Sequence, residues 1–183
     1  MKNRDILGMV LFIASEAIFF LLLLLSYVNY HRTGNVGVTA ASMLDPIKTG
    51  IFSIALFTSS LTLWFAEVSR KKGKTGAGVW LLITILLGAT FLTGQGFEYA
   101  HLLKEKVTIS RDLFGSTFFT LTGFHGLHVL IGLIMLSMLF GLVVAGRKTE
   151  PTLSSLKSIA VYWHFVDAVW VVIFSVVYLW RYV

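Results

Sequence analysis

The chain of 183 residues is 56% hydrophobic and only 13% charged, with a mean hydropathy of +0.82. A soluble domain averages roughly 45–50% apolar and 25% charged residues, so this composition describes a polytopic membrane protein with room for one helix bundle and no second soluble domain. The absence of cysteine excludes disulfides, thiolate-ligated zinc or copper, iron–sulfur clusters and covalently attached c-type haem. A net charge of +6, carried mostly in short loops, fits an anionic lipid surface and not nucleic acid.

Apolar runs long enough to cross a bilayer occur five times, so the predicted fold class is all-α. It is read as a single transmembrane domain over 1–183, a polytopic membrane helix bundle of five transmembrane helices. Met1–Asp5 is a short charged lead. The first span is predicted over about 6–28, roughly 34 Å of helix. It is too long for a signal-peptide core and no small-residue cleavage site follows it, so it is expected to be retained. Tyr27, Tyr30 and His31 read as its interfacial end. A polar connection through Arg32, Gly34, Asn35, Gly37, Asp45 and Pro46 leads to the second span, about 48–68. Arg70-Lys71-Lys72-Gly73-Lys74 forms a tight basic loop before the third span, about 79–99. His101 to Arg111 is the next polar connection. The fourth span lies within about 113–145, long enough to require tilt or a projecting end. Gly146 to Ser158, with Pro151, reads as the last loop before the fifth span at about 159–182.

Lysine and arginine set the orientation. Nine basic residues fall on the side of the N-terminus and the second and fourth loops, against six on the other, and the loop Arg70–Lys74 has no acidic residue. The positive-inside rule then puts the N-terminus in the cytoplasm and the C-terminus outside.

Within the spans, the polar residues are few. Glu16 is predicted about 15 Å deep, and Asp167 about 12 Å deep from the same side. His164, Asp167, Ser175 and Tyr178 share one stripe of the fifth span, flanked by Trp163 and Trp170. An ionised carboxylate at that depth costs about 2.5–3.5 kcal/mol on insertion scales, so the stripe is expected to have protein or water against it. Either the two carboxyl groups serve a proton relay or a pore, or a neutral Glu16 or an Asp167–His164 pair fixes helix contacts; the sparse polar track favours the contacts. Thr84, Gly88, Gln95 and Glu98 share a stripe of the third span, as a buried helix contact would use, with Glu98 and His101 near the outer interface. His125 and His128 lie three apart on the fourth span, with Gly132 between them in angle. That spacing suits one metal ion if Glu98 or His164 completes the set. Histidines hydrogen-bonded between helices beside glycines are the commoner case.

Several of these stretches, in this order, resemble subunit III of the haem–copper terminal oxidases, the cytochrome c oxidase and quinol oxidase family. They are Leu11-Phe12-Ile13-Ala14-Ser15-Glu16-Ala17-Ile18-Phe19-Phe20, Gln95-Gly96-Phe97-Glu98-Tyr99, Phe114-Gly115-Ser116-Thr117-Phe118-Phe119, Thr122-Gly123-Phe124-His125-Gly126-Leu127-His128-Val129 and Tyr162-Trp163-His164-Phe165-Val166-Asp167. The resemblance implies an accessory subunit with no catalytic residue, cofactor or metal of its own, haem and copper residing on partner subunits. It implies docking against the catalytic subunit I and other oxidase subunits, bound phospholipid among the membrane lipids, and support for proton uptake. It also implies an integral protein of the bacterial cytoplasmic (inner) membrane. By the same resemblance, Glu16 matches the family's intramembrane carboxylate, and His125, His128, His164 and Asp167 match its polar core positions. The longer seven-span form carries two helices ahead of the Glu-bearing span, with a lipid cleft between those two and the rest. Here the chain begins at the Glu-bearing span, so another subunit is expected to supply that wall, or the cleft opens to lipid.

Three functions compete at this stage. The first is the accessory oxidase subunit, with the same role in a quinol oxidase or beside nitric oxide reductase as its variant. The second is a freestanding proton or ion transporter using Glu16 and Asp167; the inverted repeats and broken helices that transporters often show are not seen, and Pro46 and Pro151 are both read as loop residues. The third is a small metalloenzyme centred on His125, His128 and His164.

Overall fold

The computed structural model describes residues 3–33, 44–71, 76–109, 113–145 and 150–179. The predicted connection at 34–43, the centre of the basic loop at 72–74, and Arg111, Arg147, Lys148 and Arg181 lie outside the described residues. The helices are α1 (Asn3–Thr33), α2 (Pro46–Lys71), α3 (Ala77–Lys104), α4 (Leu113–Val144) and α5 (Glu150–Phe174), the last closing in a π-helical turn over Ser175–Leu179. The described residues thus contain five helices long and apolar enough to cross a membrane and no strand, the all-α architecture expected.

The helices outrun the apolar segments that announced them. In particular, α3 continues through His101 to Lys104, and α5 begins at Glu150, inside the stretch read as a loop. Hydropathy marks where a helix is apolar, whereas its hydrogen-bond ladder continues into polar flanks. Pro151 does not oppose this, because proline is tolerated in a first helical turn, where its missing N–H has no partner to lose.

Where ends are defined, local chemistry defines them. Asp45 Oδ1 accepts the N–H groups of Ile47 and Lys48 at 3.2 and 3.1 Å, capping α2 with Pro46 as its first residue. The Lys48 N–H bond first, then the Lys48 side chain, holds the Asp45 carboxyl below its ordinary range. At the end of α3, Val107 N–H reaches Leu102 O at 3.0 Å and Lys106 N–H reaches Leu103 O at 3.1 Å, with Lys106 at φ 61°. This is a Schellman stop with lysine in the left-handed position, and its apolar pair, Leu102 and Val107, is buried.

The α2–α3 hairpin makes the most extensive helix contact; α4 packs on α3, and α5 packs on both α4 and α2. α1 lies against α4 and α5. Trp163 of α5 is fully buried between two glycines. A methyl group added at Gly88 on α3 would stand 2.9 Å from its indole, and one at Gly132 on α4 would stand 2.6 Å away. Both glycines therefore serve close approach, and Trp163 holds α3, α4 and α5 at one level.

The stripe predicted on α5 straddles the edge of its buried face. Asp167 and Tyr178 are buried, whereas His164 and Ser175 are exposed. At about 100° per residue, His164 and Ser175 lie some 20° apart and both sit outside the arc occupied by Trp163, Val166, Trp170 and Ile173.

Candidate functional site

Serines and threonines of α2 receive the polar groups of α5. Thr49, Ser53 and Ser60 recur at intervals of four and seven residues, on the side of α2 that meets α5 and α3. Trp170 Nε1 donates to Ser53 Oγ at 2.8 Å, and Trp163 Nε1 donates to Ser59 Oγ at 2.9 Å. Ser60 Oγ donates to Asp167 Oδ2 and also meets His164 Nδ1 at 3.0 Å. The expected Asp167–His164 pair is therefore joined through a serine hydroxyl of another helix. Asp167 Oδ1 has no hydrogen-bond partner among the described residues.

Glu16 faces the other flank of α5, toward α4. Its Oε2 stands 3.0 Å from His128 Nε2, while His128 Nδ1 lies 2.7 Å from Phe124 O. A carbonyl only accepts, so Nδ1 carries a ring proton. The second nitrogen then either accepts the proton of a neutral Glu16 or shares it as an ion pair, and in both forms the pair is net neutral. Phe20 packs its ring against His128 at 5.0 Å, and Tyr162 donates its hydroxyl to His128 O at 3.1 Å. The two carboxyl groups of the predicted relay thus meet different helices.

Gln95 Nε2 donates to Thr122 O at 2.9 Å, and Tyr99 Oη lies 2.7 Å from Thr122 Oγ1, tying α3 to α4. Glu98, expected near the outer interface with His101, joins three segments. It accepts from Thr49 Oγ1 at 3.0 Å and from Tyr178 Oη at 2.6 Å, linking α3 to α2 and to the π turn after α5. Beside it, His101 is exposed and lines, with Asp45, Lys48, Phe52 and Glu98, a cavity of about 630 Å³ between α2 and α3.

His125 departs from the hydrogen-bonded histidine that the sequence suggested. It is fully buried and stacks on Trp170 with ring centroids 4.8 Å apart, with the rings of Phe20 and Phe91 set at steep angles to it. Neither ring nitrogen has a hydrogen-bond partner among the described residues. His125, His128 and His164 consequently go to three separate environments. No group of three or more His, Asp or Glu side chains among the described residues is placed to hold a metal ion.

The polar partners on α2, namely Thr49, Ser53, Ser59 and Ser60, were not singled out from the sequence. The signal was present in their helical spacing on a span otherwise dominated by large apolar residues. Hydroxyls read as neutral in hydropathy, which hides them.

Fold and contacts together define a polytopic helical membrane protein whose intramembrane polar groups tie its own helices together. The family model described as cytochrome c oxidase subunit III matches residues 3–182. Cytochrome c oxidase subunit 3 of Bacillus subtilis is 37% identical over 180 residues, covering 97% of this chain and 86% of the relative. The Corynebacterium diphtheriae protein of the same name is 33% identical over 181 residues, covering 96% and 88%. Cytochrome bo(3) ubiquinol oxidase subunit 3 of Pseudomonas aeruginosa is 33% identical over 179 residues, covering 97% and 85%. The chain belongs to the cytochrome c oxidase subunit III family.

Proposed function

We propose that this chain is the accessory subunit III of a haem–copper terminal oxidase in aerobic respiratory electron transport. In this reading it carries no redox centre; haem and copper sit on partner subunits, and the chain docks against the catalytic subunit I and the other oxidase subunits. It lies in the bacterial cytoplasmic membrane, N-terminus inside and C-terminus outside, with phospholipid bound along its apolar flanks, and it steadies the catalytic subunit during proton uptake. The observation that carries the reading, beside family membership, is the pairing of Glu16 with His128 on α4 and of Asp167 with Ser60 on α2. Each carboxyl group closes a helix contact on its own flank of α5. A transporter reading needs the two in one pathway, and this arrangement separates them. Gln95, Glu98, His125 and His164 serve the same packing role.

Purification from its native membrane in mild detergent tests the assignment. The expected result is a complex with a haem absorption spectrum, in which mass spectrometry identifies the catalytic subunit beside this chain. Recovery as a homogeneous, haem-free homo-oligomer would overturn it. The co-purifying subunits also identify the electron donor, cytochrome c or quinol.

A further inference from the structure

Exposed hydroxyls on the spanning helices donate back to a carbonyl of their own helix: Thr58 to Ile54, Thr90 to Leu86 and Ser175 to Val171. Such groups tolerate lipid because no polar atom is left over. His164 does not fit this pattern. Its side chain is exposed, within the membrane-crossing segment Ser155–Leu179 and about 14 Å along the helix from Ser155. Ser60 engages Nδ1 at 3.0 Å, and Nε2 has no hydrogen-bond partner among the described residues. Ionisable side chains at such depth belong against protein or a water-filled cavity, since hydrocarbon offers the free nitrogen nothing.

The surroundings are those of a protein contact. Phe57 and Trp64 are 37% and 51% exposed, one turn to either side of Ser60 on α2. Val161, Ala168 and Val171 are the exposed neighbours on α5, and the small Ala168 allows close approach of a second backbone. The outer face of α1 makes no comparable demand, being lined by exposed Leu7, Val10, Leu11, Ile18, Leu21 and Leu22. Ser60 also bears on the chemistry of the missing contact. It donates to Asp167, so its oxygen accepts from Nδ1–H, and in the neutral ring Nε2 is left as an acceptor.

We propose that the α2–α5 seam around His164 is the docking surface for a membrane-spanning helix of another oxidase subunit. That helix presents a donor, a hydroxyl, amide or indole N–H, to His164 Nε2 at mid-membrane. The proposal rests on the subunit assignment above and adds to it the face and the chemistry of the contact.

The chain contains no cysteine, so Ala168→Cys supplies its only thiol for a maleimide photo-crosslinker, with Leu22→Cys on α1 as the comparison. In the detergent-purified complex, Ala168→Cys is expected to yield an adduct with an oxidase subunit, and Leu22→Cys much less of it. An adduct with a second copy of this chain overturns the choice of partner. Absence of a protein adduct at 168 in a preparation that retains haem overturns the docking face and leaves the subunit assignment standing. Absence of haem from the wild-type preparation removes the assignment and the proposal with it. In parallel, His164→Leu is expected to lower the haem retained per chain by about threefold to about eighteenfold, the range for one interhelical polar contact in a membrane. His164→Gln, which keeps a side-chain acceptor, is expected to recover most of that loss. Wild-type haem retention in His164→Leu would count against the proposal.

Discussion

The first and last spans solve the same problem in opposite ways. In its most apolar stretch α1 has 11% of its residues buried, while the corresponding share of α5 is 44%. α1 is the more apolar of the two and yet the less enclosed. In a bilayer lipid tails are as apolar as a protein core, so apolar content alone gives a helix no reason to pack inward. Shape and polar groups decide instead. α5 carries two indoles, two phenols and a carboxylate whose partners lie on α2, α3 and α4. α1 meets the bundle through Glu16 and the rings of Phe19, Phe20 and Tyr27. α5 is thus the helix around which the bundle is assembled.

Breaking α5 should therefore cost far more than breaking α1. Trp163→Ala empties the space between Gly88 and Gly132 and removes the donor to Ser59. A large aromatic deleted from a packed core costs about 3–5 kcal/mol. We expect a clearly lowered thermal unfolding midpoint in mild detergent, with an unchanged midpoint for Leu22→Ala on the outer face of α1. Equal midpoints for the two variants would contradict the ranking of the helices.

The next effect probes the same point from the opposite side. Gly132→Ala places a methyl group 2.6 Å from the Trp163 ring, and that ring is also pinned by Gly88. Because the indole cannot move away, overpacking of about 1–3 kcal/mol is expected. Gly96, which has nothing within 4 Å of an added methyl group, should accept alanine without loss. Unfolding midpoints of the two variants, compared in one detergent, check the contrast.

These contrasts explain what could be read from the sequence. Five spans and the all-α class were legible because apolar length is a one-dimensional property. Glu16, Asp167, Gln95 and the histidines were legible as candidates because polar groups are scarce in such segments. Their partners were not legible. Nothing in the order of residues says that Glu16 meets His128 instead of His125, which lies one turn away on the same helix and faces Trp170. The role of Gly132 was equally hidden. Its angle placed it with the histidines, but its small size serves the indole of another helix. Helix ends escaped for a different reason, since backbone hydrogen bonding continues through Glu150 and Lys104 after hydropathy has fallen.

Asp167 tests a smaller part of α5. Asp167→Leu removes the acceptor of the Ser60 hydroxyl proton, while Ser60 Oγ keeps its contact with His164 Nδ1 at 3.0 Å. The leucine also removes Oδ1, which lacks a partner among the described residues. An interhelical polar contact in a membrane is worth about 0.6 kcal/mol on average and about 1.7 at most. We therefore expect weakened association with partner subunits, read as less haem per chain, and near-normal turnover in the complexes that remain. A variant that assembles fully and stops turnover would favour a proton relay through Asp167.

Glu16 should give the smallest effect, although its side chain is the carboxyl group through which the apolar part of α1 meets the bundle. The reason is the proton on His128. Phe124 O takes Nδ1–H, so in the neutral form of the pair Nε2 accepts and the Glu16 carboxyl donates. Glu16→Gln replaces that donor with an amide N–H at the same place. It should assemble and leave electron transfer largely intact, with a cost below the average of about 0.6 kcal/mol for losing such a contact. Glu16→Ala strands Nε2 between helices and should approach that average, measured as haem retained per chain after detergent exchange. Infrared difference spectra separate the two protonation patterns directly. The carbonyl stretch of a carboxylic acid in the wild-type minus Glu16→Gln difference would mark the neutral pair. A carboxylate band there instead would mean an ion pair with His128, and Glu16→Gln should then cost more than the average contact, because a neutral amide cannot balance an imidazolium packed against Phe20.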